Sequence, residues 1–338
     1  MTEDEVLRIA LVESQSANMS AAAGFVLESE LSVEIKAQMT IDEAFASLES
    51  ADIDLVLIPA SDITQDPRIG DSFACAAALP LRDWNSVLVC EDRLNHLPRG
   101  AIVLAHSRLT RRQMRRYRPD ARIRSATAHC GIEGIEIPEE VGKGNLEAFT
   151  EWANALRLAG DIDAFVIPRH IFSSVGLKAR RHALSDDPAE DELLRFLPAP
   201  HSGAVLLVGR IGFPKGMISA INDEEAFTSW EVTETFLSGL EEKDSSSLGI
   251  RVRHKTPATL LREAERRRDL LTQNSLKDTE GELVGLDTKV EIQIEYVGHL
   301  GKRSLSMERI GNISDSGVIT RFTSQEWNRL VRGSSKED

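Results

Sequence analysis

The sequence predicts two α/β lobes followed by a small α+β domain, and three observations carry that prediction. First, Ala51-Asp-Ile-Asp-Leu-Val-Leu-Ile-Pro59 returns as Gly160-Asp-Ile-Asp-Ala-Phe-Val-Ile-Pro168, with five of nine positions identical. Each copy is a short acidic turn, a nearly continuous apolar run of strand length and a proline that stops it. Such runs suit central strands of a parallel sheet, buried on both faces. Second, each copy follows a helix-like segment, Ile41 to Leu48 and Leu146 to Leu158, so helix-to-strand units occur twice. Third, after the turn or linker Lys243-Asp-Ser-Ser-Ser247 the pattern changes to that of an antiparallel sheet with helices. A length of 338 residues agrees, being long for one core.

The remaining elements follow in order. Val6 to Val12 opens the first lobe. Ala101 to Ala105, after the turn Leu97-Pro-Arg-Gly100, opens the second, and Ala121 to Ser125 is a further strand. Segment 184–196 is acidic and polar, turning helical from Glu190 to Phe196. Ala204 to Arg210 is an apolar strand after the Pro198-Ala-Pro200 break. Thr256 and Pro257 suit a helix start, Thr as cap and Pro in the first turn, with the helix running to about Asn274. Val290, Ile292, Ile294 and Tyr296 alternate with Glu291, Gln293 and Glu295, the pattern of a half-buried antiparallel strand. His299 to Lys302 reads as a hairpin turn before a strand from Arg303 to Ile310. Thr323 to Val331 reads as a last helix, and 333–338 as a frayed tail.

Composition narrows the function classes. The chain carries 40 basic and 54 acidic residues, a formal charge of −14, which argues against general nucleic-acid binding. The acidic N-terminus has no apolar run of a signal peptide. No stretch approaches the roughly 20 apolar residues of a membrane helix. Cys75, Cys90 and Cys130 are widely spaced and odd in number, without metal-ligand spacing, so a reduced cytoplasm is the expected compartment and no metal is expected.

Against this acidic background stands a basic island. Between Arg108 and Arg124 lie eight arginines and one acid, Asp120. Such a cluster usually has an anion to hold or acids elsewhere to meet, and the planar guanidinium fork grips carboxylates two oxygens at a time. With Thr110 as cap, a helix from Arg111 places Arg111, Arg112, Arg115 and Arg116 on one broad face near its N-terminus, an expected anion site. The other reading is a basic face paired with nearby acids.

At these residues the chain resembles hydroxymethylbilane synthase, also called porphobilinogen deaminase. The matching text is Leu97-Pro-Arg-Gly-Ala-Ile-Val103, Ser107, Arg111-Arg112-Gln113, Arg118-Pro119-Asp120 and Ile123-Arg124-Ser125. Collinear with it, Leu7-Arg-Ile-Ala10 resembles the family's opening strand. Asp54 to Asp62 resembles the strand ending at its catalytic aspartate, and Leu81-Arg82-Asp83 its Pro-Arg-Asp. Leu197-Pro-Ala199 with Gly203-Ala-Val205, and Phe236-Leu237 with Leu240-Glu241, continue the series. The resemblance implies two periplasmic-binding-protein-like lobes with hinge segments crossing between them, and a third, small α+β domain. On that division the first lobe is 1–98 with 200–222, the second 99–199, and the C-terminal domain 223–338.

The family joins four porphobilinogens with release of ammonia, on a dipyrromethane primer held by a cysteine thioether. The position of that cysteine is Asp244 here, so no cofactor is expected. The Gly- and Lys-rich active-site loop is missing where Gln38-Met-Thr40 leads straight to Ile41. An anion-holding arginine is replaced around Ser14-Gln15-Ser16, another by Thr127, and the lysine before the aspartate by Ser61. What the resemblance leaves is Asp62 as a residual catalytic carboxylate, with Arg111, Arg112, Arg124 and Arg82 as anion holders. Asp62 also reads as a helix or turn cap, Arg82-Asp83 as a structural pair, and His201 as a structural histidine in a hinge-like turn.

Three functions compete at this point. One is a degenerate relative, a pseudoenzyme monomer of haem biosynthesis whose cleft takes a small carboxylate such as porphobilinogen or a linear tetrapyrrole. The second is an active synthase with an unusual primer. The third is a basic-patch module for RNA or an acidic protein, against which Tyr117 is the lone aromatic among the arginines, leaving no stacking platform.

Overall fold

The computed structural model describes residues 6–184, 195–241, 245–283 and 287–334. The first lobe is built on β1 (Leu7–Val12), β2 (Val33–Met39), β3 (Leu55–Pro59) and β4 (Phe73–Ala78), with helices α1 (Met19–Leu27) and α2 (Ile41–Glu49) and a short turn α3 (Arg68–Asp71). The second uses β5 (Ser86–Val89), β6 (Ile102–Ala105), β7 (Arg122–Arg124), β8 (Ala164–Pro168) and β9 (Arg181–Ala183). Its helices are α4 (Arg108–Tyr117), α5 (Ala126–Glu133), α6 (Glu139–Gly142), α7 (Leu146–Ala159) and α8 (Arg169–Ser174). The chain then returns to the first sheet as β10 (Val205–Arg210).

Both sheets have one topology. Their orders are β2-β1-β3-β10-β4 and β7-β6-β8-β5-β9. In each, three parallel strands meet an antiparallel fourth that arrives by a crossing from the other lobe. The nine-residue repeat supplies the central strand of each sheet, β3 and β8, where Leu55 to Ile58 and Ala164 to Ile167 are fully buried. Its acidic turn also has a job. Asp54 accepts the Arg8 N–H at 2.9 Å while its own N–H donates to the Arg8 carbonyl at 2.8 Å. Asp163 does the same with Ile102, at 2.7 and 3.0 Å. Each aspartate thereby locks the central strand to the opening strand in register.

One boundary differs from expectation. Ser86–Val89 pairs with β8 and β9, and Cys90, Leu94 and Leu97 pack in the same lobe's core, so the chain crosses between lobes at 79–85, not at 98/99. The Pro98-Gly100 turn that suggested a border is a tight turn inside the second lobe, closed by Ala101 N–H on the Pro98 carbonyl. The return strand β10 lies in the first sheet.

The C-terminal part has an antiparallel sheet of β11 (Leu248–Lys255), β12 (Lys289–Val297) and β13 (Ser304–Asn312), with β12 central. Helices α9 (Glu224–Ser238) and α12 (Ser316–Ser334) cover one face through Phe236, Ile250, Ile292, Ile294 and Trp327. Two expectations change here. The helix from Thr256 is two, α10 (Pro257–Arg267) and α11 (Leu270–Ser275), because Arg268 turns left-handed at φ 56° and Asp269 caps a new start. And β12 is buried on both faces: Glu291, Gln293 and Glu295 are each 1 % exposed, because the polar face is covered too. The expected helical turn 190–196 falls largely outside the described residues.

Candidate functional site

The cleft lies where the carboxyl ends of β1 and β3 face those of β6 and β8. Pro59 ends β3, and the chain makes a single 3₁₀ turn, Ala60–Ile63, that carries Asp62. Asp62 caps no helix. Its Oδ2 accepts the Ser14 hydroxyl at 2.5 Å and its Oδ1 the Ser16 hydroxyl at 2.5 Å, with Ser61 donating to Oδ1 at 3.2 Å. Both oxygens are therefore engaged in holding the loop after β1. Gln15, between the two serines, reaches the second lobe. Its side-chain oxygen accepts the Leu146 N–H at the start of α7 at 2.8 Å, and its carbonyl lies 2.9 Å from His170 Nε2.

The arginine helix is organised differently from expectation. It begins at Arg108, capped by Ser107, which accepts the Thr110 N–H. Its cations do not share one open face. Arg112 donates to the Val297 carbonyl at 3.0 Å and stands over the Tyr296 ring. Arg115 donates to the carbonyls of His299 and Ile123. Arg116 pairs with buried Glu295 at 2.8 Å and donates to the Arg195 carbonyl. Gln113 donates to Glu295 as well. The physical reason is that a hairpin turn and the polar face of β12 bring carbonyls and a carboxylate that need donors once buried. Arg118 serves the Leu94, Leu97 and Pro98 carbonyls and Asp120. Arg108 donates to Ser246.

Among the residues singled out from the sequence, Arg124 pairs with Glu133 at 2.7 Å. Arg82 is exposed and stands 5.3 Å from the Phe25 ring, while Asp83 pairs with Arg169 of the other lobe at 3.0 Å, so the two do not form a mutual pair. His201 sits at φ 61° in the return crossing, 2.8 Å from Glu234. Arg111, like Arg112 and Arg115, has carbonyl partners and no carboxylate among the described residues, but its carbonyls are those at the end of β6. It donates to the Ala105 and His106 carbonyls at 2.8 and 2.6 Å. Burial lowers its guanidinium pKa, and Arg115, Arg108 and Arg112 lower it further, the signature of a cation lacking a counter-charge. Asp244 lies outside the described residues.

All three cysteines are buried inside the lobes. Burial pushes the Cys75 thiol up to about 12 and Cys90 to about 11, and raises Cys130 too. Such thiols are poor nucleophiles near neutral pH. Beside the cleft, His106 and His170 are both lowered by burial, His106 to about 4, so both are neutral at pH 7. Sequence reading missed the Gln15 contact, these histidines and the arginine–Glu295 interface. The polar alternation of 291–295 was a usable signal for the last, since a polar face opposite an arginine helix is a complementary pair.

Among the described residues no helix is long and apolar enough to cross a membrane. No family model matches the chain. A probable porphobilinogen deaminase from Thermoplasma acidophilum is similar, 24% identical over 206 residues, which cover 61% of this chain and 60% of that protein. The chain thus matches less than two thirds of its relative's length. Among solved structures it is similar to YhfZ from Shigella flexneri, with 12% identity, a TM-score of 0.31, and 70% of this chain and 98% of that chain covered. It is also similar to a periplasmic substrate-binding protein from Coxiella burnetii, with 14% identity, a TM-score of 0.33, and 67% and 96% covered.

Proposed function

We propose that this chain is a hydroxymethylbilane synthase-like protein of tetrapyrrole biosynthesis that has lost covalent chain elongation and keeps a cleft for a small carboxylate-bearing ligand, porphobilinogen or a linear tetrapyrrole. The observation that carries the reading is the engagement of Asp62: both oxygens of the retained carboxylate hold Ser14 and Ser16. A carboxylate so committed is poorly placed to stabilise a cationic pyrrole intermediate. The three buried thiols support the same reading, since none is placed to bear a primer. The collinear resemblance and the relative named probable porphobilinogen deaminase support the family. Arg111, at the cleft and without a counter-charge, is the residue that would hold a ligand carboxylate. A cytoplasmic monomer is part of the proposal.

Calorimetric titration with porphobilinogen tests it. Binding is expected to be weakened about tenfold or more in Arg111→Ala, the loss of one charge-assisted pair, and to weaken with salt. Absence of binding to the wild-type protein would remove the proposed ligand.

A further inference from the structure

We propose that Gln15 is a latch that holds the two lobes closed in the ligand-free protein and gates the cavity between them. The inference rests on the reading of the cleft as the ligand site only for what the gate admits; the latch itself stands on geometry.

One residue makes both contacts. The Gln15 side-chain oxygen takes the Leu146 N–H, one of the amides that the first turn of α7 leaves without an intrahelical acceptor. The Gln15 carbonyl takes the Nε2–H of His170, which is only 7 % exposed. The residue is presented rather than free, because Ser14 and Ser16 on either side are both fastened to Asp62. This assigns Asp62 a role as the post on which the latch is mounted.

Behind the latch lies an interlobe cavity of about 110 Å³. Ser16 and His170 form part of its wall, together with His106, Ser107, Thr110 and Gln113. The His106 Nδ1 atom is sealed from solvent without a hydrogen-bond partner. Ser16, next to Gln15, and His170, its partner, both line this cavity, so release of the two Gln15 hydrogen bonds is expected to widen it.

The test uses the full chain without ligand. Gln15→Ala is expected to raise amide exchange at Leu146 by about tenfold or more, as expected when its acceptor is lost, and to increase the radius of gyration in solution scattering. Leu146→Pro removes the same donor at a position where proline suits a helix start, and is expected to give the same scattering change. Gln15→Glu keeps an acceptor, with charge favoured at a helix N-terminus, and is expected to stay closed. Folded Gln15→Ala and Leu146→Pro proteins with wild-type scattering would overturn the latch. Because these readings need no ligand, a failure of porphobilinogen to bind would count against the proposed function and leave the latch standing.

Discussion

Ala51 and Gly160 hold the same place in the two copies of the repeat, and their difference is instructive. Both follow a helix in the left-handed region, at φ 63° and 85°. A Cβ there costs about 1 kcal/mol. Ala51→Gly is therefore expected to stabilise the first lobe by about that amount and Gly160→Ala to destabilise the second, as denaturant midpoints would report. His106 gives a pH dependence. Burial holds its folded pKa near 4, below the ordinary 6.5. The stability it contributes is complete above pH 6.5 and is lost as pH falls toward 4, by up to about 3 kcal/mol. Chemical denaturation of wild type and His106→Gln at pH 7 and 4.5 checks this, the variant having the flatter profile. At this scale the sequence told the place of Asp62, after a buried strand. It could not tell its partners, because the serines lie 48 and 46 residues earlier and approach only through the sheet.

The element with most consequence is α4, which ties the second lobe to the C-terminal sheet. Arg116 and Glu295 have side chains 9 % and 1 % exposed, so removing one charge strands the other. Arg116→Met is expected to cost about 3–5 kcal/mol, and Arg116→Met with Glu295→Leu to recover much of it. Thermal melts and limited proteolysis between 195 and 250 would register the loosened interface. The turn before β13 is as tight. A Cβ on Gly301, already at φ 72°, would stand 2.5 Å from the Arg116 backbone nitrogen. Gly301→Ala is accordingly expected to loosen the same docking, visible as faster proteolysis, while Gly281→Ala, where a Cβ meets open space, strains only its own turn. The strand at 289–297 was legible from its alternation. That both its faces are covered was not, because Glu295 meets a helix nearly two hundred residues away whose arginines read equally well as an anion site, while Glu291 meets Arg253 and Lys255 only through the strand pairing. Local pattern specifies period, while the partner of a polar face is set by tertiary packing.

Across the whole molecule, the repeat gave the central strands of both sheets and hence the two-lobe architecture. The first crossing was placed too late because Leu97-Pro-Arg-Gly100 is a strong turn signal, whereas the true crossing at 79–85 carries just Pro80 as punctuation. The lobes so built meet through Gln15, which bonds Leu146 and His170, and every cysteine is buried. That arrangement underlies the proposal of a scaffold that keeps a ligand cleft without growing a chain on itself. The most direct measurement is the intact mass of the purified protein before and after incubation with porphobilinogen. The account expects the sequence mass on both occasions. A mass higher by a dipyrromethane unit, rising stepwise with substrate, would contradict it and establish an active synthase with its primer anchored elsewhere.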